Sequence, residues 1–212
     1  MFVIRKTLTK TIMKKQLTLI AVLFCTTFMF SQKVKVTQGD FKNLKGITAY
    51  NLEFDYSNLS IPKYKSEEEF LEDKMAKRDE KNPESGEKFK ESWFADRPNR
   101  YEPKFIESFN KRFDDGEVKV GNNIGAEYTM KVHTTMMYAG YNVGVVRQNS
   151  KIEATISIYK TGDPSNVIFS GNYTKVEGNG AFGMDYDSGY RISEAYAKLA
   201  KELAANIRKK AK

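Results

Sequence analysis

The acidic, aromatic and histidine side chains of this sequence are the residues that could do chemistry. Asp185, Asp187 and Gly189 alternate as at the start of a calcium-binding loop, but the twelfth position counted from Asp185 is Tyr196, not the glutamate that an EF-hand requires. Carboxylates placed before a helix have an ordinary explanation as N-terminal caps, which bind exposed backbone amides. The sequence therefore predicts no metal site here.

The sole histidine, His133, is predicted on the polar side of a strand between Lys131 and Thr135. One imidazole without cysteines or further histidines does not make a zinc site, and no serine lies in a nucleophile-elbow context. A lone general base and a glycosidase carboxylate pair both stay open, since acidic residues are abundant. We predict no catalytic residue and no cofactor, and we favour a protein that is not an enzyme.

Two segments combine the residue types that anchor protein interfaces. The first, residues 93–101, is interpreted either as an exposed docking patch or as a structural latch, in which the aromatic rings pack on the sheet and the arginines pair with Asp96 or Glu102. Burial of Trp93 separates these alternatives. The second, residues 136–146, is interpreted as an adaptable hairpin tip or as ordinary strand core. The predicted binding residues are Trp93, Phe94, Arg97, Arg100, Tyr101, Met137, Tyr138 and Tyr141.

Residues 14–31 have the layout of a secretory signal peptide: two lysines, an apolar run over residues 17–30, and Ser31 at the expected cleavage site. The apolar run is shorter than the roughly 20 residues that a membrane-spanning helix needs. The sequence predicts a signal peptide over residues 1–31, starting at Met1 or Met13, and a periplasmic or secreted protein. No membrane span is expected after cleavage, and the oligomeric state stays open.

Composition narrows the classes of partner and fold. The net charge of +8 includes five basic residues within 1–31, so the exported chain is only weakly basic and nucleic acid is not an expected partner. The single cysteine, Cys25, lies in the predicted leader, so no disulfide is expected. Residues 32–212 are long enough for a single domain that is stabilised by an ordinary hydrophobic core.

Hydrophobic periodicity predicts the elements that must position these residues. Strands are expected at residues 47–56, 117–120, 126–138, 150–160 and 166–176, and helices at about 66–81, 89–94, 103–113 and 188–209. Residues 96–103 are expected to form a loop, because Pro98 and Pro103 interrupt a helix. The predicted fold is α+β: a mixed, mostly antiparallel sheet, covered on one face by a long C-terminal amphipathic helix, with a charged helical insertion at 57–102.

Three stretches carry a resemblance to a known module: GAEYTMKV (125–132), KIEATISIYKTGDPSNVIFSGNY (151–173) and RISEAYAKLAKELAANI (191–207). Over residues 103–210 the chain resembles the N-terminal domain of TolB, curli-secretion channel subunits and penicillin-binding-protein activator lipoproteins. The chain also resembles secreted bacterial proteins of unknown function that bear the run GMDYDSGYRISEAY (183–196). The resemblance implies a non-enzymatic module that docks other envelope proteins. This chain differs in its insertion at 57–102 and in lacking the lipidation cysteine.

These observations favour an exported, non-catalytic interaction module of the bacterial cell envelope. The alternative is a periplasmic or secreted protein that binds a small molecule or glycan, or a weak hydrolase, with a pocket between residues 57–102 and the sheet. An interaction module predicts a flat, exposed aromatic patch, whereas the alternative predicts a concave pocket with converging polar groups.

Overall fold

A computed structural model describes residues 34–113, 115–142, 146–179 and 187–211. The predicted signal peptide with Cys25, and Asp185, which was weighed above as the start of a calcium loop, lie outside the described residues. The main sheet has six strands in the order β1-β8-β7-β4-β2-β3, and β5 and β6 form a separate two-stranded ribbon. The strands are β1 (Lys35–Gly39), β2 (Ala49–Asp55), β3 (Lys119–Gly121), β4 (Tyr128–Tyr138), β5 (Tyr141–Asn142), β6 (Arg147–Gln148), β7 (Ser150–Lys160) and β8 (Val167–Gly178).

The helices are α1 (Glu67–Asp79), α2 (Ser85–Asp96), α3 (Glu102–Asn110) and α4 (Ser188–Lys210), with a 3₁₀ turn (Phe41–Leu44) and a π-helical turn (Arg97–Tyr101).

The predicted α+β class is confirmed. Strands β4, β7 and β8 form the predicted antiparallel meander, and β2 pairs in parallel with β3 and β4. Helix α4 packs against β7, β8 and α3, and so covers one face of the sheet.

Alternation along the strands fixes which face of the sheet α4 covers. In β7, Ile152, Ala154, Ile156 and Ile158 are buried, whereas the residues between them are half-buried. On α4, the predicted apolar stripe is buried and packs onto this face: Ile192, Tyr196, Leu199, Leu203 and Ile207. The opposite face carries polar cross-strand pairs, such as Thr155 with Asn172 and Ser157 with Ser170.

Two local predictions were wrong. No strand was expected before residue 47, but residues 35–39 form the edge strand β1, because pairing with β8 needs only backbone groups and leaves these side chains exposed. Residues 96–103 were expected to be a loop, but the chain stays helical through the π turn, in which the Glu102 N–H donates to the Arg97 carbonyl five residues back. The wider π turn accommodates Pro98, and Pro103 lies in the first turn of α3, where its missing N–H costs little.

Within the described residues, no helix is both long enough and apolar enough to cross a membrane.

Candidate functional site at the start of helix α4

The two segments that the sequence predicts as binding regions meet at the first turn of α4. From one side, Arg100 of the π turn donates from Nη1 to the Asp187 carboxylate at 2.6 Å. From the other, Arg191 Nη2 donates to the carbonyl of Ala139, at the end of β4, at 3.0 Å. Asp187 and Arg191 are one helical turn apart, which is about 6 Å along the axis. The structure therefore brings residues 93–101 and 138–141 to one end of the molecule.

Arg100 joins the α2 end to the α4 start through two carboxylates. Its Nε lies 3.0 Å from Asp96 Oδ1, and its Nη1 contacts Asp187, whose Oδ1 caps α4 by accepting the Tyr190 N–H at 3.1 Å. The Asp96 carboxylate lies against Gly189, where a Cβ would overlap it. Glycine is therefore needed at position 189 for this close approach.

The two carboxylates that Arg100 contacts have opposite pKa shifts. Burial raises the pKa of Asp96, and the nearby charge of Arg100 does not offset that effect. For Asp187, burial also favours the neutral form, but the hydrogen bonds from Arg100 and from the Tyr190 N–H outweigh burial and lower the pKa. Asp187 therefore stays ionised as the helix cap.

Trp93 is 4% exposed, which matches the latch interpretation rather than an exposed patch. Its Nε1–H donates to Glu67 Oε1 at 2.5 Å, and the same oxygen accepts an ion-paired hydrogen bond from Arg97. The guanidinium of Arg97 lies between two rings, 4.6 Å from the Tyr56 centroid and 4.8 Å from that of Phe94. These contacts tie α1 and α2 to the end of β2.

The pairing of the two arginines differs in part from expectation. Arg100 pairs with Asp96, as the latch interpretation predicts, but Arg97 pairs with Glu67, thirty residues earlier in the chain. Glu67 is not among the partners that the sequence predicts for the arginines, because no local spacing signals its contact with Arg97. Glu67 and Arg97 become partners only because α1 packs on α2.

Tyr101 also belongs to the core. It is 1% exposed and stacks on Tyr196 of α4, with centroids 5.3 Å apart and rings 5° from parallel. Burial raises the pKa of the Tyr101 phenol, and its oxygen has no hydrogen-bond partner within the described residues. Tyr196 in turn exchanges a 2.6 Å hydrogen bond with Thr134 of β4. The stack positions α4 over the sheet.

The predicted binding residues therefore divide by exposure. Trp93, Tyr101 and Met137 are buried, and Arg97 has only 15% of its side chain exposed. The exposed members are Phe94, Arg100 and Tyr141, whereas Tyr138 is half-buried and donates from its hydroxyl to Gln148 at 2.7 Å. Val146, which is 51% exposed, was within the predicted tip but not among its predicted binding residues. Binding by these residues stays a prediction.

Two concave surfaces lie near this end. A groove of about 540 Å³ runs between the π turn with α3 and the start of α4, lined by Arg100, Lys104, Asp187 and Tyr190 among others. A cleft of about 560 Å³ lies within the start of the 57–102 segment, lined by residues 56–60 after β2 and 65–68 at the start of α1, whereas the alternative function expects a pocket between that segment and the sheet. The cleft lining is mostly polar, unlike the apolar lining typical of small-molecule sites.

His133, the residue considered as a lone general base, lies on the helix-free face of the sheet among charged side chains. His133 and Asp55 are register partners, and Lys131 pairs with Asp55 at 2.9 Å and with Glu53 at 3.1 Å. The His133 ring contacts the Ser57 carbonyl through Nε2 at 2.9 Å. Among the described residues, no group of three or more histidine, cysteine or acidic side chains is arranged to hold a metal ion. Lys131 therefore bridges the two carboxylates across neighbouring strands.

Comparison with known proteins gives little further information. Neither a protein-family model nor a curated protein matches the chain. Among solved structures, the chain is similar to a PelC dodecamer from Paraburkholderia phytofirmans, with 13% sequence identity over 79% of this chain and 97% of that chain and a TM-score of 0.33. That score is too low to support an argument about function. The resemblance to TolB and the curli-secretion subunits is not confirmed.

Proposed function

We propose that this chain is an exported, non-catalytic interaction module of the bacterial cell envelope, and that it docks a protein partner through the end of the molecule at the start of α4. The docking surface comprises Phe94, Arg100, Tyr138, Tyr141 and Val146. One observation supports the proposal: two segments far apart in the chain contact the same turn of α4, through Arg100 and the Ala139 carbonyl, and each segment carries an exposed aromatic side chain.

The contacts beneath this surface support the proposal. Arg100 is held by Asp96 and Asp187, while Phe94 packs on the Arg97 guanidinium. Side chains that are already ordered lose little conformational entropy on binding, so a partner gains more from each contact. Phe94 and Arg100 are already held in place, so they suit a docking role better than the same residues on an unsupported loop would.

The proposed docking surface can be tested with a photo-crosslinking amino acid placed at 94 or 141, one position at a time, in the native bacterium. We expect both positions to give the same adduct. Position 166, on the exposed turn between β7 and β8, serves as a matched control and should give none. Adding Arg100→Ala to either variant should abolish the adduct without altering the circular dichroism spectrum. Equal adducts from 166, or different adducts from 94 and 141, would exclude a shared docking surface.

A second candidate function rests on the cleft of about 560 Å³ between residues 56–60 and α1. Its volume is suitable for a small molecule or a short glycan, and its serine, asparagine and lysine side chains could bind hydroxyl groups. Thermal-shift screening of envelope sugars against the wild type and Ser60→Trp, which fills the cleft, tests this alternative. A sugar that stabilises only the wild type would favour the alternative over protein docking.

A further inference from the structure

The opposite end of the molecule carries a cluster of exposed cations. The cluster, called here the basic end, is formed by Lys42, Lys45, Arg112, Arg208, Lys209 and Lys210. Three chain segments contribute to it: the 3₁₀ turn and the residue after it, the residues after α3, and the last turn of α4. In the sequence, the lysines at 209 and 210 have a sufficient explanation as partners of the helix dipole. The other members join them only in the folded chain.

Side-chain contacts hold these segments together. Arg208 donates from Nη2 to the carbonyl of Arg112, and its guanidinium lies 5.2 Å from the ring of Phe113. The ammonium of Lys210 lies 4.9 Å from the ring of Phe41, in the 3₁₀ turn that packs on α4. The basic end is therefore a fixed part of the folded surface.

The cations of the basic end lack the ion pairs that several lysines elsewhere in the described residues form. Lys104, Lys131 and Lys151 each form an ion pair of 3.1 Å or less. Within the described residues, none of the six cations of the basic end forms an ion pair with a carboxylate. The same segments also contain Asp40, which caps the 3₁₀ turn, and Asp114 and Asp115, which follow Arg112 and Phe113 in the sequence. These segments therefore contain six cations and three carboxylates, so the basic end has a positive potential.

We propose that the basic end binds the surface of a membrane that contains anionic phospholipids. Four of its six cations are lysines, which act as point charges on flexible stems and suit many phosphate headgroups rather than one precisely held phosphate. An acidic polymer chain binds best in a groove that follows its backbone, whereas these cations project from the ends of elements. The described parts of these segments contain no exposed large apolar side chain, so the adsorption is electrostatic and sensitive to salt.

The basic end lies far enough from the proposed docking surface for a membrane and a protein partner to bind at the same time. Strand β2 begins beside the residues that follow Lys45 and ends at Asp55, just before the cleft and α1. Its seven residues span about 20 Å. Membrane adsorption at one end therefore leaves the surface around Phe94 and Tyr141 free, and the two proposals can fail independently.

The test measures partition of the full chain onto phosphatidylglycerol/phosphatidylcholine vesicles by co-sedimentation at low salt. One variant replaces Lys42, Lys45, Lys209 and Lys210 by glutamine. A matched control replaces Lys63, Lys65, Lys81 and Lys88, which are exposed lysines of the 57–102 segment without ion pairs among the described residues. All the proteins share residues 1–31, so any contribution of that segment to binding cancels in the comparison.

We expect at least tenfold weaker partition of the basic-end variant, because each cation near an anionic bilayer contributes about 1 kcal/mol. The control and a variant with arginine at the four basic-end positions should stay within about twofold of the wild type, and raising the salt should abolish the difference. If the quadruple variant misfolds, Lys42→Gln/Lys45→Gln, which leaves α4 intact, should still lose threefold or more.

Several results would overturn the membrane proposal. The proposal fails if the basic-end variant partitions onto the vesicles as strongly as the wild type does, or if the control variant loses as much partition as the basic-end variant. It also fails if the wild type binds pure phosphatidylcholine vesicles as well as it binds anionic ones. Binding to dissolved alginate in preference to the vesicles would assign the basic end to an acidic polysaccharide instead.

Discussion

Glu67→Ala should destabilise the protein by about 3 kcal/mol. Glu67 is 14% exposed and Arg97 15%, so removing the carboxylate leaves a mostly buried guanidinium without its ion-pair partner. It also leaves the Trp93 indole N–H without its acceptor. Removing one partner of a buried ion pair costs about 3–5 kcal/mol, and an unsatisfied buried donor about 1–3 kcal/mol. The Tyr56 and Phe94 rings still contact the guanidinium, which favours the low end of the range.

Urea unfolding followed by far-UV circular dichroism and by tryptophan fluorescence measures this loss. Trp93 is the sole tryptophan, so fluorescence reports directly on the latch. Glu67→Gln keeps an acceptor for the indole and loses only the charge, so it should cost about 1–2 kcal/mol. As a control, Glu107→Ala removes the partner of Lys111, whose side chain is 71% exposed, and should cost about 0.5 kcal/mol or less.

A double-mutant cycle isolates the pair itself. Arg97→Met keeps an apolar stem between the two rings, and combining it with Glu67→Ala should show a coupling energy of about 1.5 kcal/mol or more. A coupling near zero, or a loss for Glu67→Ala no larger than for Glu107→Ala, would refute the latch as a source of stability.

Three further predictions concern α4. Tyr196→Phe should cost about 1–2 kcal/mol of unfolding free energy because it leaves the buried Thr134 hydroxyl unpaired, and adding Thr134→Val should recover part of that loss in urea titrations. Gly178→Ala should cost about 3 kcal/mol by the same measurement, since a Cβ there meets the Arg191 carbonyl and the Ala195 backbone; a loss below about 1 kcal/mol would contradict this packing. Glu202→Gln should raise the melting temperature at pH 7, because burial raises the pKa of Glu202 and so penalises its ionised form. This gain should vanish below about pH 4, where the carboxyl is protonated in both folded and unfolded states, and a pH-independent gain would refute the electrostatic cause.

The sequence by itself determined the secondary structure wherever the periodicity was strong. The alternation in residues 150–160 predicted β7 with its buried face, and the helical stripe from Ile192 to Ile207 predicted α4. Both patterns are local consequences of side-chain direction, which has a period of two in strands and about 3.6 in helices. Strand β1 escaped prediction because an edge strand is held by backbone hydrogen bonds and needs no alternating apolar side chains.

Tertiary structure decided how the candidate residues combine. Glu67 meets Arg97 and Trp93, and Arg100 meets Asp187, across gaps in the sequence that no local spacing encodes. The reason is physical: a charged or aromatic side chain has the same local pattern whether a distant element covers it or solvent does. Only the packing of α1 on α2, and of α4 on the sheet, determines which of these side chains are buried as a latch and which stay exposed for a partner.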